Sequence, residues 1–155
     1  MIVRCLALLI GILLPGAAFA QAPAALQCNG TNVSVTSTTQ VVVIAGCSIV
    51  AGPKGIIYAS GQAETTCGAT ANEGVQLMIG TTPPTLNAAP PMGMTGMTNL
   101  LHQDGCNYNP PIVTNLAGSF AGSPGFRYYI TVTLSTSDPA QPAIWNNQTI
   151  MVMTY

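Results

Sequence analysis

Phe126-Arg127-Tyr128-Tyr129-Ile130-Thr131-Val132-Thr133-Leu134-Ser135 is the stretch that fixes the fold class of this chain. Phe126, Tyr128, Ile130, Val132 and Leu134 fall on one side of an extended chain. Arg127, Tyr129, Thr131, Thr133 and Ser135 fall on the other. Strict alternation among β-branched and aromatic residues is the signature of a half-buried strand, since successive side chains of a strand point to opposite faces. Ser123-Pro124-Gly125 before it and Ser137-Asp138-Pro139 after it are turns. A last strand is expected from about Ile144 to Tyr155, with Ile150 and Val152 on one face and Met151, Met153 and Tyr155 on the other. Apolar residues on both faces imply a partner beyond the domain's own core.

The same period of two recurs upstream, and no stretch follows a helical period. From Gln40 to Val50 the odd positions Val41, Val43, Ala45, Cys47 and Ile49 are apolar. Gly52-Pro53-Lys54-Gly55 reads as a hairpin turn into a strand from Ile56 to Glu64. That strand lines Ile57, Ala59, Gly61 and Ala63 on its inner face, residues small enough for a second sheet to approach closely. Val75, Leu77 and Ile79 form a further strand, stopped by Thr81-Thr82-Pro83-Pro84. Residues 83–98 are too irregular for an element, and Ile112 to Phe120 holds another strand. Short strands separated by turns predict an all-β, antiparallel β-sandwich, jelly-roll-like in form.

Residues 1–20 read as a cleaved signal peptide. Arg4 supplies a positive charge, Cys5 to Leu14 an apolar run too short to span a bilayer, and Ala18-Phe19-Ala20 a small-x-small cleavage site. Residues 21–155 then form a single β-sandwich domain, long enough for one core and not for two. Only 5% of the chain is charged, against roughly a quarter in ordinary soluble domains. After residue 20 the charges are Lys54 and Arg127 against Glu64, Glu73, Asp104 and Asp138, which argues against a nucleic-acid partner. No later apolar stretch is long enough to insert in a membrane. The expected location is secreted or periplasmic, in a bacterium. Cys28, Cys47, Cys67 and Cys106 remain, without a Cys-x-x-Cys pair. In an oxidising compartment they make two disulfides, and spacing leaves the pairing open.

Pro124-Gly125-Phe126-Arg127-Tyr128-Tyr129-Ile130-Thr131-Val132, followed by Ile144-Trp145-Asn146-Asn147-Gln148-Thr149-Ile150-Met151-Val152-Met153, resembles the last two strands of a tumour-necrosis-factor-like jelly roll. More narrowly, it is similar to the complement-type globular heads of bacterial exported proteins and phage fibres. Val41 to Glu64 resembles their opening hairpin. The resemblance implies a homo-oligomer, a trimer, with Met151, Met153 and Tyr155 at the interface near the threefold axis, although the chain has no Gly-x-y stalk. A second resemblance is to secreted pilin or spore-coat-type subunits, which also end in an alternating strand closing on tyrosine, as Thr149 to Tyr155 does.

Catalytic chemistry finds little support. The single histidine, His102, cannot make a multi-histidine zinc site. There is no Gly-x-Ser-x-Gly elbow, Ser-x-x-Lys pair or phosphate-binding glycine loop. Glu64 and Glu73 are the one candidate carboxylate pair, and His102-Gln103-Asp104 reads as a surface turn. Met92, Met94 and Met97 with His102 form a candidate copper set, because thioethers and imidazole suit Cu(I); the competing reading is loop packing. Three Asn-x-Ser/Thr triplets begin at Asn29, Asn32 and Asn147 and are expected to be unmodified in a bacterial protein. Arg127 and Tyr129 read as an exposed strand face, with a contact to a surface protein or glycan ligand as the alternative. The sequence therefore favours a non-enzymatic exported binding or assembly domain without a cofactor. A structural subunit and a periplasmic Cu(I)-binding protein are the alternatives.

Overall fold

The computed structural model of the chain describes residues 24–45, 47–66, 73–102 and 112–155. The signal segment, Cys67, Asp104 and Cys106 lie outside the described residues. Ten strands follow one another among the described residues: β1 (Ala24–Asn29), β2 (Val33–Val35), β3 (Val41–Val42), β4 (Cys47–Val50), β5 (Ile56–Thr66), β6 (Glu73–Gly80), β7 (Thr95–His102), β8 (Ile112–Ala121), β9 (Arg127–Thr136) and β10 (Ala143–Thr154). The described residues contain no helix. One sheet runs β1-β10-β5-β8, with β2 also on β10, and the other runs β3-β9-β6-β7, with β4 also on β9. Every pairing is antiparallel. The chain is an all-β sandwich. If β1/β2 and β3/β4 are each taken as one interrupted strand, eight strands wrap between two four-strand sheets in a jelly-roll-like order.

The alternation read from the sequence defines the core. Ile57, Ala59, Ala63, Ile150 and Val152 face inward from the first sheet, and Val75, Leu77, Ile79, Ile130, Val132 and Leu134 from the second. The small inner face of β5 has the predicted cause, because a Cβ on Gly61 would stand 3.6 Å from Val132 Cγ2 of the facing sheet.

Tertiary structure departs from the local reading at several points. Gly52 to Gly55 is a turn, closed by the Gly55 N–H donating to Gly52 O at 2.9 Å, but it is not a hairpin turn. It carries the chain from β4 in one sheet to β5 in the other. Gly55 sits at φ +68 with Gly122 O 2.2 Å from where a Cβ would be, so a side chain is doubly excluded there. The expected strand from Gln40 to Val50 is broken in two. Val42, Val43 and Ile44 are all buried in succession where the chain bends after β3. Residues 83–98 do contain the start of an element, since β7 begins at Thr95, and β1 and β2 form the edge that the sequence did not suggest. Phe126 precedes β9 and is 61% exposed, so the inward row starts at Tyr128.

The outward row of β9 is polar as expected, yet Thr131 and Thr133 are fully buried. The Thr131 hydroxyl donates to Ile44 O, and the Val43 N–H donates to Val132 O at 2.9 Å. Gln40 Nε2 donates to Ser135 Oγ at 3.1 Å. Threonine serves here because its methyl packs while its hydroxyl finds a backbone acceptor.

Two glycines on inner faces separate steric need from tolerance. A Cβ on Gly118 would meet Met97 Cβ at 2.8 Å and Met97 O at 3.1 Å, whereas that on Gly61 meets only ordinary contacts. Urea denaturation is expected to show Gly118→Ala destabilised by about 1–3 kcal/mol. Gly61→Ala should lie within about 1 kcal/mol of the parent, because lost chain entropy offsets the contact.

Candidate functional site

Two places in the sandwich have chemistry beyond ordinary core packing. The first is the outer face of the β1-β10-β5-β8 sheet. Register places side chains there in rows across the strands. Ala25, Met153, Tyr58 and Ser119 form one row; Gln27, Met151, Ser60 and Ala117 the next; Asn29, Thr149, Gln62 and Asn115 a third. The face thus grades from apolar and aromatic at one end to amide and hydroxyl at the other. Met151 is 54% exposed, Tyr58 45%, Met153 42% and Tyr155 38%. Tyr58 and Tyr155 pack edge to face with centroids 5.8 Å apart, and with Lys54, Ile56 and Met153 they line an open groove of about 460 Å³.

The polar end is organised by a bulge. Pairing of β10 with β5 shifts between Asn146, opposite Glu64, and Thr149, opposite Gln62, so β10 carries one extra residue. Asn147 takes the left-handed backbone at φ 50, a conformation asparagine tolerates better than most side chains. Its side chain donates to Glu64 Oε2 at 2.9 Å, and its N–H donates to Asn32 Oδ1 at 3.3 Å. The Thr149 hydroxyl donates to Asn29 Oδ1 at 3.3 Å. All three asparagines of the Asn-x-Ser/Thr triplets therefore meet around this bulge.

The second place lies inside the sandwich. Glu73, at the start of β6, has no exposure, and Trp145 Nε1 of the opposite sheet donates to its Oε1. Its Oε2 has no hydrogen-bond partner among the described residues. Burial pushes the carboxyl up to about 7, and the Trp145 bond opposes this only in part. Thr136 of β9 and His102 of β7 occupy the positions opposite Glu73. The two acids, more readily read from sequence as solvated strand-end charges than as a pair, lie apart: Glu64 is held on the outer face by Asn147, whereas Glu73 is not solvated but inside with Trp145. The sequence hid the Glu73–Trp145 bond because nothing local marks a tie between residues 72 positions apart.

The remaining candidate residues are dispersed. Met92 is 97% exposed at a turn. Met94 lies over Gly80, and Met97 packs against Gly118 and the core. These three thioethers occupy three different neighbourhoods. Arg127 donates to Ser48 Oγ at 3.1 Å on the outer surface of the second sheet. Cys28 and Cys47 form a disulfide across the two sheets, with Cα atoms 5.7 Å apart. Among the described residues no group of three or more His, Cys, Asp or Glu could hold a metal ion, and no helix is long and apolar enough to cross a membrane.

No family model matches the chain, and no curated protein matches it. Among solved structures, a chain from the structure of the infectious bursal disease virus Gx strain is similar at 6% identity, with a TM-score of 0.44. The match covers 85% of this chain and 36% of the viral one, so the chain spans about a third of that protein's length.

The buried acid makes stability depend on pH. The folded-state value of about 7 lies above the ordinary 4.5, so Glu73's contribution is fully present below pH 4.5 and lost as pH rises through 7. Urea melts are expected to show a loss on the order of 3 kcal/mol between pH 4.5 and 8 from this group. Glu73→Gln, which stays neutral, should flatten that dependence.

Proposed function

We propose that this chain is an exported, non-enzymatic binding or assembly domain of the tumour-necrosis-factor-like jelly-roll type, which associates into a homo-oligomer, a trimer, through the outer face of β10. The observation that carries this reading is the exposure of Met151, Met153, Tyr58 and Tyr155 together on one sheet face. Large apolar side chains grouped on one patch are the usual mark of an association surface, whereas scattered ones are not. Methionine and tyrosine are enriched at such surfaces, and charged residues are depleted. Here Lys54 and Glu64 lie at opposite ends of the patch, with only neutral residues between them. The patch between them can therefore be covered without burying a charge.

The strand order supports the jelly-roll part of the reading. The first and last strands lie side by side in one sheet, and all connections except that between β6 and β7 cross between sheets or run along the interrupted edges. Export is supported by the Cys28–Cys47 disulfide, a bond that persists in oxidising compartments.

Light scattering after size exclusion, on the oxidised chain beginning at Gln21, is expected to give the mass of three chains. Met151→Glu/Met153→Glu should give the mass of one while keeping the far-ultraviolet spectrum of a β-protein, because both side chains point away from the core. A parent chain that runs as a monomer at tens of micromolar, a range in which specific oligomers persist, overturns the proposal.

A further inference from the structure

We infer that the Cys28–Cys47 disulfide is a redox latch on β1: it, rather than burial, keeps Ala24–Asn29 on the sandwich, and its reduction releases that strand and bares the β10 edge. The argument begins with how little else holds β1. Among the described residues it is an edge strand, paired only with β10, from Ala24 opposite Thr154 to Asn29 opposite Thr149. No residue of β1 is fully buried. Leu26 and Cys28 are half-buried against the core, and the other four side chains are exposed. A strand that buries so little apolar surface opens by local fluctuation at a small fraction of the cost of global unfolding.

The disulfide changes that balance because of where its far end sits. Cys47 is fully buried in β4, which belongs to the other sheet and pairs with β9. The bond therefore ties a loosely packed edge of one sheet to the interior of the other. Beyond β1 the chain is held by its own contacts. The Gly30 N–H donates to Gln148 O at 2.9 Å, and Gln148 Nε2 donates to Thr31 O at 2.8 Å. Those bonds set a natural boundary at Gly30, so release would stop there rather than run into β2.

What the latch covers matters to the chain. Residues 149–154 of β10 are buried on alternate positions, with Met151 and Met153 exposed on the other face. Uncovered, that edge is a long, uncharged template for pairing with another strand. In an oxidising compartment the edge stays closed. In the presence of a dithiol, thiol–disulfide exchange transfers two electrons and two protons to the Cys28 and Cys47 sulfurs and leaves the dithiol as its own cyclic disulfide.

The test is hydrogen exchange on the folded chain, before and after dithiothreitol, in a Cys67→Ala/Cys106→Ala background where this bond is the one that can be reduced. Opening a loop of this length should raise exchange of β1, and of the β10 amides bonded to it, by about a hundredfold. The β6–β9 amides serve as the internal reference and should change little. The same pattern is expected in oxidised Cys28→Ala/Cys47→Ala chain that retains Cys67 and Cys106, which guards against a background that fails to fold. Unchanged β1 exchange after reduction, or an equal rise in β6 and β9, overturns the inference.

Discussion

The extra residue at Asn147 is the constraint on which much of this sandwich depends. A strand alternates its side chains, so Trp145 and Ile150, five positions apart, belong on opposite faces of an unbroken strand. Both are nonetheless buried in the same core, as is Val152. The bulge between Asn146 and Thr149 supplies the single-residue shift that reconciles them. Asparagine at φ 50 makes the shift inexpensive, and its side chain caps the distortion on Glu64. Without it, either the indole or the paired Ile150 and Val152 would face solvent. The outward placement of Met151 and Met153 follows from the same shift.

Turning Trp145 inward also fixes what happens to Glu73. An indole N–H in a core needs an acceptor, and here it finds the carboxyl of Glu73. The carboxyl is then confined in a place that favours its neutral form, since one oxygen receives a single donor and the other none among the described residues. The two sheets are therefore joined at this end by a polar tie whose strength varies with protonation. Near Gly61 they are joined by close apolar contact, and at β1 by a covalent bond. These junctions respond differently to the environment: acidity bears on the first, reducing agents on the third, and neither on the second.

The sequence made the central strands legible and the edges opaque, for a physical reason. β5, β6 and β9 are long and lie inside their sheets, and the edge strand β8 is equally long, so burial of one face imprints a period of two on their residues. The short or interrupted edge elements lack that imprint. β1 and β2 bury little, and β3 and β4 are separated by a bend that packs Val43 and Ile44 in succession. β7 follows a turn and carries its own shift at Met97, which interrupts its alternation. The Gly52–Gly55 turn was visible from proline and glycine, but its destination was not, because turn chemistry encodes a reversal of direction and not the sheet that receives the next strand. Of the candidate site residues, the outward set on β10 was legible from alternation alone. The Glu73–Trp145 tie was not, being a contact between sheets.

The low charge of the chain has a consequence for this division between core and surface. An ordinary sandwich marks its outer faces with charged residues, which keep edges and faces from associating. Here outward positions are filled by threonine, serine, asparagine and glutamine, and toward one end of β10 by methionine and tyrosine. Neutral polar residues satisfy hydrogen bonds without repelling a like surface. Solubility of the free chain then depends more on covering edges with backbone pairing, which β1 does for β10. On the proposed reading, a surface built in this way serves contact between chains rather than a dilute, solitary monomer. The same neutrality leaves the strength of such contact nearly independent of salt, because few charges are there to be screened.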